Sequence, residues 1–332
     1  MSHDNLDMHS DDQLNITLAN ETFQTTSPGV YFIFTTSFRS NRIKFWILFA
    51  LQLFSLPCFV YIFLQFAFKK QLRRTIHNRV VILLLIISFL FVTIALPLTL
   101  AYLYTSQVRP QSDTFCTLWN WFHYSVNIID MFLMAFASIE RNWLIFYPKI
   151  VKSKGGRFLL HRCPLIFCVL YPSLFYATAM FVHQCTPYYD FTQLLCKWPC
   201  YFYNQDWANV DLFFNNYVPL FTIPVFCSTI YIRVLIQRRK MREQRFKWRH
   251  DKKLILQIWI LSSLYLGMWM PVQLTGLINL YWSPTFLLQE QIDYIYLFPY
   301  LIHVIYPYTV LLTLHGKPSK VRSSVAVHPE RN

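Results

Sequence analysis

Long apolar runs alternate along this chain with short connections that are polar and often basic. Seven runs reach the ~20 residues a helix needs to cross a hydrocarbon layer about 30 Å thick, where lipid offers no partner to backbone N–H and C=O groups. They extend from Ile43 to Phe68, Asn78 to Tyr104, Cys116 to Phe146, Phe158 to His183, Asn209 to Gln237, Asp251 to Trp282 and Gln291 to Leu314. The pattern predicts an all-α membrane protein: a seven-transmembrane helix bundle over 43–314, with an N-terminal tail over 1–42 and a short tail over 315–332. The first apolar run follows some forty largely polar residues and is too long for a signal-peptide core, so helix one is expected to act as its own insertion signal.

Composition supports this reading. With 55% hydrophobic, 19% aromatic and 14% charged residues, the chain is too apolar for two soluble domains of its 332-residue length. Six glycines leave no room for glycine-rich nucleotide loops. The net charge of +14 does not indicate nucleic acid, because the basic residues fall between apolar runs and not on a polar domain. Their distribution sets the orientation instead. The segments after helices one, three, five and seven hold 23 Lys and Arg against three acids, and the opposite side holds five against eleven. The positive-inside rule therefore places the N-terminus outside and the 315–332 tail in the cytosol, with Arg39, Arg42 and Lys44 as a local exception. Sequons at Asn15 and Asn20 then lie where glycosylation occurs.

Four cysteines, Cys58, Cys163, Cys168 and Cys227, lie inside predicted helices and are expected to be small buried hydrophobes. The others, Cys116, Cys185, Cys196 and Cys200, share the outer, oxidising side and allow two disulfides with three pairings.

Near the inner end of helix three stand Glu140, Arg141 and Asn142, with Pro148 seven residues after Arg141 and Cys116 twenty-five before it. An intramembrane Glu-Arg pair is expensive in lipid and marks function or mutual neutralisation. Helix six carries Met268-Trp269-Met270-Pro271, and Pro271 bends it by removing a backbone hydrogen bond. In this order, on seven helices, these residues resemble the Glu/Asp-Arg-Tyr and Cys-Trp-x-Pro motifs of rhodopsin-like (class A) G-protein-coupled receptors. The resemblance covers the architecture and about half of the signature positions. Ser88 stands where the family keeps an aspartate, helix seven reads Tyr306-Pro307-Tyr308-Thr309-Val310 in place of Asn-Pro-x-x-Tyr, and helices one and four lack the family's asparagine and tryptophan. The chain is thus identified as a divergent member.

The family pattern implies roles for individual positions. Asp130, eleven residues before Arg141, occupies the place of a helix-three serine, so serine and aspartate have exchanged helices. Asp130, partnered by His303 or by a cation, is expected to form the polar centre that rearranges on activation, together with Tyr306 and Pro307. His123 replaces the aspartate of amine receptors and Tyr300 the retinal lysine, which disfavours both ligand classes. The remaining pocket, His123, Tyr124, Asn127, Trp269, Gln273, Tyr296 and Tyr300, is aromatic and polar and suits a neuropeptide-like ligand or a neutral small molecule. Asp190, Asp206, Asp211, Glu290 and Asp293 give its entrance an acidic cast. The family's spacing implies the disulfides Cys116–Cys200 and Cys185–Cys196, with Cys116–Cys196 as the close competitor.

The resemblance implies a multi-pass plasma-membrane receptor whose partners are the lipid bilayer, an outer ligand and a heterotrimeric G protein. Glu140 would hold Arg141 at rest. No nucleophile–base pair or metal-ligand spacing appears, so neither enzyme activity nor a cofactor or metal is expected. The rival reading is a seven-helix transporter or channel using Asp130, His303 and His123 as intramembrane polar groups. Internal repeats and paired broken helices, its usual marks, are not seen.

Overall fold

A computed structural model describes residues 38–69, 76–146, 153–183, 189–197, 199–240, 248–283 and 285–314. Asn15, Asn20, Pro148, Cys185 and the tail over 315–332 lie outside these residues. Helix α1 spans Phe38–Phe68. The second, α2, runs through Ile76–Leu90, a π turn at Phe91–Ala95 and Leu96–Thr105. Helix α3 is continuous over Asp113–Phe146. Four pieces make α4: Lys154–Arg157, a π turn at Phe158–Arg162, Cys163–Ala177 and a second π turn at Thr178–Val182. Helix α5 joins Gln205–Val210, the π segment Asp211–Tyr217 and Val218–Lys240. Helix α6 spans Trp248–Tyr281. The last, α7, joins Leu288–Asp293, a 3-10 turn at Ile295–Leu297 and Phe298–Leu314. Six of these are long and apolar enough to cross a membrane, and α6, whose first turns carry Arg249, Asp251, Lys252 and Lys253, completes the bundle.

Each expected helix is present. Helix α1 starts earlier than Ile43 because its extra turn has partners: the Arg42 guanidinium stands 4.0 Å over the Tyr104 ring, and Asn41 Nδ2 donates to Ser106 Oγ at 3.3 Å. The helices pack in a ring, α1 against α2 and α7, α2 against α3 and α7, α5 against α6, and α6 against α7, while α3 also meets α4 and α5. The most apolar stretch of α3 is 78% buried against 22% for α1 and α4, so α3 is the axis of the bundle and its polar residues are enclosed. Phe54, Leu174, Phe221 and Leu312 project outward, as lipid-facing side chains should.

Proline explains the break in α2. The Leu96 N–H bonds to Phe91 O, five residues back, and Pro97 has no N–H, so the Val92 carbonyl loses both of its usual donors. Gln52 of α1 supplies the missing bond, its Nε2 donating to Val92 O at 2.8 Å. An unsatisfied carbonyl in the bundle interior is costly, and this one is covered by a neighbouring helix.

The segment 189–197 is fastened over α2 and α3. Asn120 Nδ2 donates to Leu195 O at 2.9 Å, Tyr102 Oη to Thr192 O at 3.0 Å and Val108 N to Phe191 O at 2.8 Å. Leu195, Cys196 and Lys197 turn through positive φ (56°, 56° and 78°), which brings Cys196 onto the α3 face that carries Cys116 and Asn120. The disulfide is accordingly Cys116–Cys196, with Cα atoms 5.9 Å apart. The expected Cys116–Cys200 pairing is corrected, and with it Cys185–Cys196. Cys200 lies beyond the turn, in the 3-10 segment Cys200–Tyr203, and is itself disulfide-bonded. Cys196→Ser is expected to cost about 2 kcal/mol, the low end of the usual range, because the hydrogen bonds around it persist. The thermal midpoint of the purified chain, followed by tryptophan fluorescence, checks this.

Candidate functional site

The polar centre forms where α2, α3, α6 and α7 meet. Asp130 of α3 accepts a hydrogen bond at Oδ2 from the Tyr265 hydroxyl of α6. His303 of α7 lies beside them, its Nδ1 3.9 Å from Asp130 Oδ2 and 3.2 Å from Ser88 Oγ of α2, and its Nε2 3.4 Å from Asn127 Oδ1. Phe91 stacks on the His303 ring with centroids 4.1 Å apart. All five polar residues are buried. The expected juxtaposition of Ser88, Asp130 and His303 is therefore present, and Tyr265, which no motif marks, joins it. The carboxyl Oδ1 of Asp130 has no hydrogen-bond partner among the described residues. No group of three or more His, Cys, Asp or Glu that could hold a metal occurs among them either.

On the 281 side of α6, above this centre, rings fill the space. His123 sits between Phe91, Tyr124 and Tyr300 at centroid distances of 5.4, 5.7 and 5.4 Å, and Thr99 Oγ1 donates to the Tyr300 hydroxyl at 3.0 Å. The buried His123 Nδ1 and Trp269 Nε1 have no hydrogen-bond partner among the described residues. Of the expected pocket, His123, Tyr124 and Tyr300 come together. Asn127 belongs instead to the polar centre. The Gln273 carboxamide is committed to α5, donating to Asn216 Oδ1 at 2.7 Å, and Tyr296 donates to Gln291 Oε1 at 2.8 Å.

The acidic entrance is corrected in part. Asp211 is buried and accepts from Tyr176 at 2.5 Å, Asn215 at 2.9 Å and Tyr201 at 3.1 Å. Burial first, and then the neighbouring Asp211 carboxylate, push the Tyr201 phenol well above its ordinary range. Asp293 is paired with Lys44, and Asp190 caps its own loop by accepting from Thr192 and Gln193. A carboxylate taken out of bulk water needs donors, and these three have found them.

At the other end of α3, Glu140 and Arg141 are both buried. Glu140 Oε1 makes an ion-pair contact with His161 Nδ1 in the first π turn of α4, so the acid beside Arg141 also engages a neighbouring helix. Asn142 Nδ2 donates to Phe226 O of α5 at 3.0 Å and to Ser138 O at 2.9 Å. Cys227 Sγ lies 3.0 Å from Ser262 Oγ, so this end joins α3 and α4 on one side and α5 and α6 on the other.

The sequence pattern described as 7 transmembrane receptor (rhodopsin family) matches residues 45–309, from within α1 to within α7. Among curated proteins none matches the chain. The family pattern takes in the polar centre, Arg141 and the Pro271 bend alike, and the chain belongs to the rhodopsin family of seven-transmembrane receptors.

Proposed function

We propose that this receptor transmits the binding of an outer ligand, neuropeptide-like or a neutral small molecule, to a heterotrimeric G protein at the inner ends of its helices. The reading is carried by one observation, the Asp130–Tyr265 contact, which ties the axial helix to the half of α6 on the inner side of Pro271. A bend at Pro271 lets that half swing, and the swing separates Tyr265 from Asp130. A ligand that prefers the swung arrangement shifts the population by its differential affinity for the two states. His123, with its unpartnered Nδ1 among Phe91, Tyr124 and Tyr300, is the contact point for a ligand hydrogen-bond donor or acceptor.

The asymmetry of Lys and Arg favours an outward N-terminus, in the plasma membrane, with residues 1–42 outside and 315–332 in the cytosol. Asn15 and Asn20 then face the glycosylating compartment. Arg141 is the group that turns toward the G protein once α6 has moved. The test is capture of a nucleotide-free heterotrimeric G protein by the full chain in lipid nanodiscs, across a panel of G proteins. Arg141→Ala is expected to lower complex formation about tenfold or more, the loss of one charge-assisted contact. Undiminished capture by Arg141→Ala, or no capture of any G protein by the unaltered chain, contradicts the proposal.

A further inference from the structure

The charge pattern leaves one feature unexplained, the basic trio Arg39, Arg42 and Lys44 at the end of α1 where the positive-inside rule wants few cations. Two of the three are accounted for inside the protein. Arg42 stands over the Tyr104 ring, facing α2. Lys44 is nearly buried and paired with Asp293, whose carboxylate also accepts from Ser40 Oγ at 3.4 Å and from Gln289 Nε2 at 2.7 Å. That acid is therefore already compensated. Arg39, which is exposed, has no ion-pair partner among the described residues.

Arg39 stands on the rim of a groove of about 510 Å3 between α1 and α7, next to the Lys44–Asp293 pair. Its walls are Ile43, Ile47, Leu48, Leu297 and Leu301, with Tyr294 at the mouth. Ile43 and Ile47 are 55% and 53% exposed and Tyr294 65%, so the groove opens sideways toward the bilayer. Arg39 and Lys44 against Asp293 leave the rim with one net positive charge.

We propose that this groove binds an anionic phospholipid of the surrounding bilayer, its phosphate on Arg39 and one acyl chain along the apolar walls. A guanidinium at the membrane boundary matches a phosphate by paired N–H donors while its stem lies along apolar surface. A soluble anion would leave the walls uncovered, and a zwitterionic phospholipid would bring its own cation beside the phosphate and leave the net positive charge of the rim uncompensated. The site therefore selects a molecule that is anionic at one end and hydrocarbon at the other. The inference goes beyond the receptor reading and needs only the fold, since lipid binding requires neither an agonist nor a G protein.

The experiment places the full chain in phosphatidylcholine nanodiscs containing a trace of phosphatidylglycerol with a photoreactive diazirine on its acyl chain. Peptide mapping by mass spectrometry locates the label, and a phosphatidylcholine probe with the same chain serves as reference. The phosphatidylglycerol probe is expected to label the α1 and α7 peptides around Ile43–Ile47 and Tyr294–Leu301 in preference to the reference. Arg39→Gln should lower that labelling about fivefold, the usual worth of one cation near an anionic lipid surface. Arg42→Gln, whose charge faces α2, should leave it unchanged. Equal labelling by both probes with no response to Arg39→Gln would mean ordinary bilayer contact and overturns the proposal. Absence of label in the groove, with the probe excluded by the chain's own N-terminal segment, overturns it as well.

Discussion

Tyr265→Phe should raise ligand-independent nucleotide exchange on the G protein by about tenfold. The substitution keeps the ring that fills the core and removes only the hydroxyl that donates to Asp130. Both residues are buried, so the resting arrangement loses a hydrogen bond that no water replaces, worth ~1.5 kcal/mol or more when the carboxyl is charged. The swung arrangement, with Tyr265 on the moving side of Pro271, does not contain the bond and loses nothing. The equilibrium therefore shifts by nearly the whole of that energy. Asp130→Asn should shift it in the same direction and by less, since an amide oxygen still accepts from Tyr265. If Asp130→Asn and Tyr265→Phe both leave basal and ligand-driven exchange unchanged, the contact is a packing detail and not a latch.

The second large effect concerns stability. His161→Ala removes one contact of the Glu140 carboxylate, and both side chains are almost completely enclosed, at 1% and 2% exposure. Breaking a buried pair by deleting one member is costly because the other member stays desolvated with less compensation, and losses of 3–5 kcal/mol are usual where none remains. A neutral histidine reduces the figure toward that of a buried hydrogen bond, so about 2–3 kcal/mol is expected. Adding Glu140→Gln to His161→Ala should recover part of the loss, because the carboxylate that lost its histidine contact is then gone while the buried Arg141 loses a neighbouring charge. Thermal midpoints of the four proteins in the same detergent check this. Additive losses in the double variant would show that Glu140 is not stabilised by His161.

These predictions depend on residues of very different visibility in the sequence. The seven helices are legible because the hydrocarbon layer imposes length and apolarity with little freedom. Arg141, Trp269 and Pro271 are legible because the family motifs mark them, and counting back from Arg141 finds Asp130. His303 was reachable as a buried histidine on α7. Tyr265 was not, since it is one of 21 tyrosines and its role depends on the rotation of α6, which no spacing rule sets. His161 was hidden for a similar reason. It lies in a π turn, whose extra residue changes which side chains face α3.

The disulfide partner was missed by four residues. The chain reverses through positive φ at three consecutive non-glycine residues, Leu195, Cys196 and Lys197, and a hydropathy pattern carries no trace of such a turn. Asp211 was misread as an entrance acid because nothing in its neighbourhood announces burial. Its three donors come from α4, from the segment before α5 and from one turn further along α5. Local pattern thus identifies elements and motif residues, whereas contacts between elements depend on helix rotation and loop path.

The most direct measurement is GTPγS loading of the G protein captured in the panel, by the unaltered chain, Tyr265→Phe, and Tyr265→Phe combined with Arg141→Ala, at equal receptor density in nanodiscs. Release of the Asp130–Tyr265 contact is expected to raise loading in the single variant and to leave the double variant at background, because the opened state still needs Arg141 to engage the G protein. Equal loading by all three chains, or raised loading that persists without Arg141, would contradict the account.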